Sequence, residues 1–365
     1  MNIGFLLGDA TGKGGIEKVV LTLSSALAKH HNSRVISLYK GGEQNAFSNL
    51  NTPVDYLSIN NERSMYNRKY SGLLSYIFDV YYIAKKSVSL IRYSREKKLD
   101  VLVTCDIKMA CLAYLASLFC DFKIIAVEHF EYDVANAILK KIRKFLYNRF
   151  EKVITLTNED FEKYYWLNDK KLDVIPNIVK VNVLQDDMAK ENEIVAVGRL
   201  THQKGFDLLI EAWSQIEGKN EGWKLSIYGD GEEKDNLQKL IKSYLLENVV
   251  LNPFTDNIDA VYSKSKVFVL SSRYEGLGMV LIEALAHKLP CVSFDCPAGP
   301  KTIIKHDYNG LLVSTGDVSS LAESINLIIN NSELRHKYSN NALASIHDFS
   351  EDVVVEKWNS VLDGN

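Results

Sequence analysis

Short apolar runs rich in β-branched residues alternate along the first half of the chain with longer amphipathic segments. The short runs predict strands at 2–7, 34–39, 101–104, 123–127 and 152–156. The segments between them predict helices at 15–29 and near 71–97, 107–119 and 134–149. Strands that alternate with helices in this way are typical of a mainly parallel, doubly wound sheet.

The alternation restarts after a polar stretch, 177–192, which lacks periodicity and is predicted to link two domains. Strands are predicted at 194–197, 224–228, 249–251, 267–270 and 291–294. Helices are predicted near 204–217, 232–244, 257–263, 278–287 and 317–330. The sequence therefore predicts two Rossmann-like α/β domains, at 1–180 and 193–347, with a helix at 348–363 that packs back on the first. Ligands of such sheets bind beyond the carboxyl ends of the strands, so we expect the site in a central cleft between facing domains.

Composition and charge narrow the class of protein. A length of 365 residues suits two domains, and 46% hydrophobic with 24% charged residues is typical of a globular protein. A net charge of -3 argues against a polycation built to bind nucleic acid. The charge is uneven, because residues 1–180 carry 26 Lys and Arg against 19 Asp and Glu, while the remainder carries 17 against 27. The first domain is therefore expected to face an anionic surface.

Cysteine usage and the lack of targeting segments indicate the compartment. The five cysteines are odd in number, and no two have the spacing of a zinc or redox motif. Free thiols in a reducing compartment are the simplest interpretation. The N-terminus lacks a basic segment before a long apolar run, and no stretch reaches the roughly 18 apolar residues of a membrane span. We expect a cytoplasmic protein, with peripheral contact to the inner face of the cell membrane left open.

The most informative segment is Ser-Ser-Arg-Tyr-Glu-Gly-Leu-Gly-Met-Val-Leu-Ile-Glu-Ala at 271–284. Glycines where a strand passes into a helix let an anion approach backbone N–H groups, and the helix dipole favours that anion. The carboxylates of Glu275 and Glu283 suit hydroxyl groups, which donate hydrogen bonds to them. A phosphate site beside hydroxyl-binding carboxylates predicts a nucleotide-sugar pocket. The alternative is a plain helix start with a solvent-facing Glu283.

A second segment, Val-Gly-Arg-Leu-Thr-His-Gln-Lys-Gly at 197–205, places two cations just after a strand. The guanidinium of Arg199 can bind phosphate with two hydrogen bonds, and Lys204 supplies a compact point charge. Together they could neutralise a diphosphate leaving group without a metal. The alternative is a pair of solvated surface cations.

Two weaker signals lie in the first domain. Gly14 and Gly15 follow the first strand and open a helix, but they do not fit the Gly-x-Gly-x-x-Gly dinucleotide pattern, and a plain turn is the alternative. His129 ends a strand in the run Val-Glu-His-Phe at 127–130, where such folds place active groups, and a packed structural histidine is the alternative.

Taken together, these motifs resemble the retaining glycosyltransferases of family 4, which have the GT-B fold of two facing Rossmann-like domains. The resemblance covers nearly the whole chain and is strongest over 194–313. Glu275 and Glu283 match the family's pair of glutamates separated by seven residues, and Arg199 and Lys204 match its phosphate-binding strand end. Two positions depart from it, since Leu277 stands where many relatives have Phe and Thr302 where relatives commonly have Glu.

The resemblance implies an acceptor domain at 1–180, a donor domain at 193–347, and a metal-independent, retaining transferase without a cofactor. It implies catalytic roles for His129, Arg199, Lys204 and Glu275. The donor-binding residues that it implies are Gly14, Gly15, Arg199, Lys204, Phe254, Thr255, Glu275, Gly276, Leu277, Gly278, Met279 and Glu283. In that assignment Arg199 and Lys204 hold the diphosphate, and Glu283 binds the ribose. Phe254 and Thr255 lie near the base.

The expected substrates follow from the same resemblance. The run Cys-Pro-Ala-Gly-Pro at 296–300 has the form Cys-Pro-x-Gly-Pro. This form is similar to that of a subgroup which builds bacterial surface polysaccharides such as O-antigen, capsule or lipopolysaccharide. The expected donor is a nucleotide sugar carrying a hexose or N-acetylhexosamine. UDP is the expected carrier, because it is the frequent one in this family. The expected acceptor is a lipid-linked saccharide or glycan, and no nucleic acid is expected. A sugar-nucleotide epimerase or hydrolase and a non-catalytic nucleotide-sugar-binding homologue remain as alternatives.

A basic amphipathic segment at 137–150 suggests how the first domain meets a lipid-linked acceptor. Its cations include Lys140, Lys141, Arg143 and Lys144, interleaved with apolar and aromatic residues. Such a helix suits an anionic membrane surface, which is here the inner leaflet. The alternative is a solvated helix whose apolar side packs in the core.

Overall fold

The computed structural model describes residues 1–12, 14–42, 52–58, 73–129, 131–179 and 190–364. These residues form two compact units, Met1–Ile178 with Glu351–Asn365, called unit 1 here, and Val179–Ser350, called unit 2. Lys13 of the predicted glycine loop, Phe130 after His129, and 180–189 of the predicted linker lie outside the described residues.

Unit 1 contains a seven-stranded, entirely parallel sheet in the order β3-β2-β1-β4-β5-β6-β7. Its strands are β1 (Asn2–Asp9), β2 (Asn32–Tyr39), β3 (Val54–Tyr56), β4 (Val101–Thr104), β5 (Lys123–Val127), β6 (Lys152–Thr155) and β7 (Leu172–Val174). The two edge strands, β3 and β7, were not predicted, because three residues are too few to show a hydrophobic period. The other five coincide with the predicted runs to within a few residues.

The α-helices described between Met1 and Ile178 precede or follow these strands. They are α1 (Gly15–Leu27), α2 (Leu73–Lys97), α3 (Ile107–Ser117), α4 (Ala137–Tyr147) and α5 (Asn158–Lys163). Polar side chains fix several of their starts: Asp106 accepts hydrogen bonds from the N–H groups of Lys108 and Met109, and Asn136 accepts one from Leu139. Helix α5 has only six residues and was not predicted.

Unit 2 contains a six-stranded parallel sheet in the order β10-β9-β8-β11-β12-β13. Its strands are β8 (Glu193–Val197), β9 (Lys224–Tyr228), β10 (Val249–Asn252), β11 (Val267–Leu270), β12 (Cys291–Phe294) and β13 (Gly310–Val313). Strand β13, at one edge, was not predicted. Strands β11 and β12 are buried along their whole length, which explains why they read as continuous apolar runs.

The α-helices described beyond residue 190 are those of unit 2 and the last helix of the chain. They are α6 (Phe206–Ser214), α7 (Lys234–Ser243), α8 (Ile258–Lys264), α9 (Met279–Ala286), α10 (Pro300–Ile303), α11 (Val318–Asn330), α12 (Ser332–Ala342) and α13 (Glu351–Asp363). Helices α10 and α12 were not predicted. None of the described helices is both long enough and apolar enough to span a membrane.

Helix α13 belongs to unit 1, although it follows unit 2 in the sequence. Its buried Trp358 packs edge-on against Phe5 of β1, with ring centroids 6.3 Å apart. His31 Nε2 lies 2.9 Å from Asn359 Oδ1, and Lys29 pairs with Glu351. An aromatic contact in the core and polar contacts at the rim therefore anchor the end of the chain to unit 1.

Candidate active site

Two loops of unit 2 bring a lysine and a glutamate together at the carboxyl ends of neighbouring strands. Lys204 lies in the loop after β8 and Glu275 in the loop after β11, and β8 pairs directly with β11. The Nζ atom of Lys204 lies 2.7 Å from Oε1 of Glu275, and the side chains are only 18% and 7% exposed. The hydroxyl of Ser272 donates to the same oxygen at 2.6 Å. The cost of burying this carboxylate is offset because it is paired and hydrogen-bonded.

Backbone and side-chain hydrogen bonds join these two loops along their length. The N–H of Arg273 donates to the carbonyl of Gln203 at 2.8 Å, and the Gln203 amide donates to the carbonyl of Tyr274 at 3.0 Å. Ser271 Oγ donates to the carbonyl of Lys204 at 3.0 Å. The positions of Lys204 and Glu275 are therefore set together rather than independently.

Arg273 extends this connection to the start of helix α6. Its guanidinium donates two hydrogen bonds to the Asp207 carboxylate, at 2.9 and 2.6 Å, and a third to the carbonyl of His202 at 2.7 Å. Partial burial favours a higher pKa for Asp207, but the hydrogen bonds from Arg273 outweigh it and hold the pKa below its ordinary value. The pairing of Arg273 with Asp207 could not be predicted from the sequence, because residues so far apart in the chain give no local signal.

The backbone beyond Glu275 turns sharply into helix α9. Gly278 has a φ of +82° and immediately precedes the helix, and Gly299 has a φ of +122° and lies against the carbonyl of Leu277, where a Cβ atom would be only 2.2 Å from the oxygen. The first turn of α9 therefore follows Glu275 directly, which brings the positive end of a helix dipole to the same loop. Burial, and next the charge of Glu275, raise the pKa of the Cys296 thiol to about 12, so it is not a nucleophile at neutral pH.

Glu283 lies in the second turn of α9 and is partly buried. The hydroxyl of the buried Tyr262 donates to Oε2 of Glu283 at 3.3 Å. Burial, and next the charge of Glu283, raise the pKa of Tyr262 well above its usual value, so this hydroxyl remains a donor. Tyr262 was not singled out from the sequence.

The remaining predicted residues of unit 2 surround the same edge of the sheet. Arg199 is exposed, and its side chain makes no hydrogen bond or ion pair within the part of the chain that the structure describes. Phe254 is 47% exposed after β10, and its N–H donates to Asp230 Oδ2 at 3.0 Å, which connects the loops that follow β9 and β10. Thr255 Oγ1 accepts a hydrogen bond from the Asn257 N–H at 3.1 Å.

His129 follows β5 in unit 1 and lines a small cavity together with Phe5, Cys105 and Trp358. Its Nε2 atom is buried and has no hydrogen-bond partner among the described residues. Burial lowers the pKa of His129 to about 4, so the imidazole is neutral at physiological pH. A neutral ring can exchange one hydrogen bond with a substrate hydroxyl but cannot supply a positive charge.

The side chain of Glu17, from helix α1, fills the space beside the glycine loop that follows β1. A Cβ atom on Gly14 would lie 2.3 Å from Oε2 of Glu17, and one on Gly12 would lie 2.9 Å from Oε1. The Glu17 carboxylate therefore folds back over the start of α1, as the third residue of a helix commonly does. This arrangement opposes a phosphate contact at Gly14. Gly15, by contrast, has open space on its Cβ side.

The prediction that Arg143 contacts a membrane is wrong. Its side chain is 8% exposed and forms a 2.8 Å ion pair with Glu128, whose carboxylate is also buried. Arg143 pairs with Glu128 because a buried carboxylate needs an opposite charge beside it. Lys140 is partly buried and paired with Asp133 at 2.8 Å, whereas Lys141 and Lys144 are exposed.

The structure thus brings Lys204, Glu275 and the start of α9 together in unit 2, while His129, Gly14 and Gly15 belong to unit 1. A cation, a buried hydroxyl-binding carboxylate and a helix start at parallel strand ends can bind a sugar joined to a diphosphate. With this fold, they define the class of a nucleotide-sugar-dependent glycosyltransferase.

Comparisons with known proteins place the chain in a family. Residues 13–183 match the family described as Glycosyltransferase Family 4, and residues 185–344 match Glycosyl transferases group 1. The amylovoran biosynthesis glycosyltransferase AmsD of Erwinia amylovora is 33% identical over 98% of both chains. The chain therefore belongs to the group 1, family 4 glycosyltransferases, which confirms the family inferred from the sequence.

Two further relatives extend this comparison. A Campylobacter jejuni enzyme is 28% identical over 98% of this chain and 97% of its own; it is named as an α-1,4-N-acetyl-D-galactosaminyltransferase acting on a diNAcBac-PP-undecaprenol-linked saccharide. The crystal structure of Anabaena HepE with UDP and glucose superposes with a TM-score of 0.81 at 19% identity, covering 100% of this chain and 99% of that one. The latter similarity confirms the predicted GT-B fold class of two Rossmann-like domains.

Proposed function

We propose that this glycosyltransferase transfers a hexose or N-acetylhexosamine from a UDP-sugar, with retention and without a metal, to a lipid-linked or glycan acceptor in bacterial surface polysaccharide assembly. The observation that carries the proposal is the pair of Lys204 and Glu275 at the start of α9. The names of the Erwinia and Campylobacter relatives support the polysaccharide and lipid-linked acceptor. The UDP held by the Anabaena protein supports the carrier.

The charges of the site suit the bond that must break. As the bond between the anomeric carbon and the phosphate oxygen opens, its electron pair leaves with the diphosphate and the sugar gains positive charge. Arg199, Lys204 and the positive end of α9 would stabilise the leaving diphosphate, so no metal is needed to neutralise it. The acceptor oxygen bonds to the anomeric carbon on the same face, and its proton passes to a phosphate oxygen.

Carboxylates and the neutral histidine would recognise the hydroxyl groups of the donor. Glu275 would accept hydrogen bonds from the transferred sugar, and Glu283, held by Tyr262, would accept them from the ribose. His129, as the family resemblance implies, would contact the transferred sugar as a neutral ring. Phe254 would cover the base with its half-exposed ring.

A panel of UDP-, GDP- and ADP-sugars tests the reaction, with nucleoside diphosphate release followed with and without membrane lipid extract. One UDP-sugar should be turned over, much faster with lipid, and release should persist in EDTA. Glu275→Gln should reduce release by at least about a hundredfold, while the exposed control Glu323→Gln on α11 should not. The anomeric configuration of the product, measured by NMR, tests retention.

Other outcomes of this panel favour the alternatives. Equal release with and without lipid would indicate a hydrolase or an epimerase-like activity. Tight nucleotide binding without turnover of any donor, in the presence of lipid, would indicate a non-catalytic binding protein. Release that stops in EDTA would contradict metal independence.

We further propose that unit 1 docks on an anionic membrane surface through the exposed face of α4. Ile138 and Phe145 are 61% and 49% exposed on this face, among the exposed cations Lys141, Lys144 and Arg149. The Arg149 guanidinium lies 3.8 Å from the centre of the Phe145 ring. Apolar side chains among cations fit a surface of anionic lipids.

Sedimentation with vesicles containing phosphatidylglycerol tests this docking. Changing Lys141, Lys144 and Arg149 to Glu together should abolish binding, because each cation near such a surface contributes about 1 kcal/mol. The matched control changes three exposed lysines of unit 2, Lys219, Lys239 and Lys242, to Glu. Equal loss of vesicle binding in both triple variants would mean that net charge alone explains the effect. Unchanged binding in the unit 1 variant would overturn the proposal.

A further inference from the structure

Glu275 is held through one oxygen only. Lys204 Nζ and Ser272 Oγ both donate to Oε1, at 2.7 and 2.6 Å. The Oε2 atom of Glu275 accepts no hydrogen bond from the residues that the structure describes. Ser272 is completely buried, so its hydroxyl serves this contact and not solvent.

We propose that Ser272 is a positioning residue that fixes the rotation of the Glu275 carboxylate, so that Oε2 faces the transferred sugar. This inference rests on the proposed function, in which Glu275 binds a hydroxyl of that sugar. The terminal torsion of a glutamate is broad and roughly two-fold, so a carboxylate with a single donor is poorly oriented. Two donors on the same oxygen remove that freedom.

Lys204 cannot do this alone if it also binds the diphosphate. An ammonium has three donors and a flexible stem, and a diphosphate beside it would compete with Glu275 for its charge. Ser272 is neutral and only three residues from Glu275, within the same loop. It therefore keeps its hydrogen bond to Oε1 when the donor binds, and Glu275 stays in place while Lys204 shifts toward phosphate.

The matched control is Ser226, another buried serine of unit 2. Its hydroxyl donates to the carboxylate of Glu193, which lies at the opposite end of the sheet, at the start of β8. Ser226→Ala therefore removes the same kind of hydrogen bond without touching the loops of the site. Ser272→Ala is compared with it, together with Ser272→Cys, whose slightly larger side chain has a similar shape but is a weaker donor.

The first measurement needs no ligand. In protein labelled with ¹³C at the glutamate carboxyl groups, the signal that Glu275→Gln removes is that of Glu275. It should shift in Ser272→Ala and in Ser272→Cys, because the carboxylate loses or weakens its hydrogen bond from Ser272, and stay in place in Ser226→Ala. An unchanged signal in both Ser272 variants would overturn the proposal, whatever the protein binds.

The second measurement is calorimetric binding of UDP and of the UDP-sugar that the wild-type protein turns over. Loss of a hydrogen bond that orients a charged partner should weaken UDP-sugar binding about tenfold and leave UDP binding unchanged. Equal weakening of both ligands would mean a general structural role and would overturn the inference. Wild-type protein that binds no nucleotide sugar would overturn the proposed function, while the carboxyl signal would still decide whether Ser272 holds Glu275.

Discussion

Arg273 and Asp207 form a two-pronged ion pair, with hydrogen bonds of 2.9 and 2.6 Å, that ties the loop of Glu275 to the start of α6. Lysine cannot reproduce this fork, so Arg273→Lys should lower donor turnover about tenfold by loosening the Lys204 loop. Asp207 is 44% exposed, so the free energy of unfolding should change by less than about 1 kcal/mol. Urea unfolding and initial rates measure both quantities.

The control for this prediction is Arg34→Lys in unit 1. Arg34 pairs with Asp55 at 2.7 Å with similar exposure, but it lies near the start of β2, away from the carboxyl ends of the strands. Turnover in Arg34→Lys should equal that of the wild type. If both variants, or neither, lost turnover, Arg273 would have no particular role in placing Lys204.

Gly205 has a φ of +63°, and a Cβ atom there would lie 2.1 Å from the carbonyl oxygen of Ser271. Gly205→Ala should therefore force the two site loops apart and lower the free energy of unfolding by more than about 2 kcal/mol, with loss of turnover. Gly222 has a φ of +80° but nothing near its Cβ position, so Gly222→Ala should cost only about 1 kcal/mol and keep turnover. Equal losses in the two variants would show that backbone strain alone, and not the close approach, explains the effect.

The fold could be predicted from the sequence wherever strands are buried on both faces. The strands at 101–104, 123–127, 267–270 and 291–294 have the predicted bounds, because their continuous apolar runs follow from burial. The unpredicted strands β3, β7 and β13 lie at sheet edges and pair with one neighbour only. Their formation depends on that neighbour rather than on a pattern of their own.

The residues of the candidate site likewise divide into those that the sequence could predict and those that it could not. Lys204 and Glu275 were predicted because each lies in a short motif after a predicted strand. The partners of Arg273 and Arg143 could not be predicted, since Asp207 and Glu128 are distant in sequence and only the folded chain brings them close. Amphipathic periodicity identified helix α4, but it could not indicate which cation of the helix would form an ion pair with a buried carboxylate.

The ion pair between Lys204 and Glu275 should make Lys204→Met costly for stability as well as for activity. Breaking a buried pair leaves an uncompensated charge, so we expect the free energy of unfolding to fall by about 3 kcal/mol. Lys123, paired with Glu151 at 3.0 Å in unit 1 with side chains 57% and 47% exposed, is the control, and Lys123→Met should cost less than about 1 kcal/mol. Urea unfolding at neutral pH measures both, and similar losses would contradict the burial argument.

His129 should make unit 1 less stable in acid. Burial lowers the folded pKa from 6.5 to about 4, so between these values the unfolded chain binds a proton that the folded chain does not. The stability present above pH 6.5 is therefore lost as pH falls toward 4. His129→Gln should reduce the loss in unfolding free energy between pH 7.5 and 4.5 by about 2 kcal/mol, whereas the exposed control His30→Gln should leave it unchanged. An unaltered loss in His129→Gln would contradict a depressed pKa.

Asp160 should affect the pH dependence of stability with the opposite sign. Burial raises the pKa of its carboxyl group from 3.8 to about 6, although Oδ1 accepts a hydrogen bond from the Tyr132 N–H at 3.3 Å. Between these values the folded chain holds a proton that the unfolded chain has released, so stability falls as pH rises from about 4 to about 6.

Asp160→Asn keeps an acceptor for Tyr132 and removes the titration. Relative to the wild type, it should therefore gain about 2 kcal/mol of unfolding free energy between pH 4.5 and 7.5. The exposed Asp121→Asn serves as the control and should show no such gain. Urea unfolding at the two pH values gives the comparison, and an effect of Asp160→Asn that is equal at both would mean that Asp160 is already ionised in the folded protein at pH 4.5.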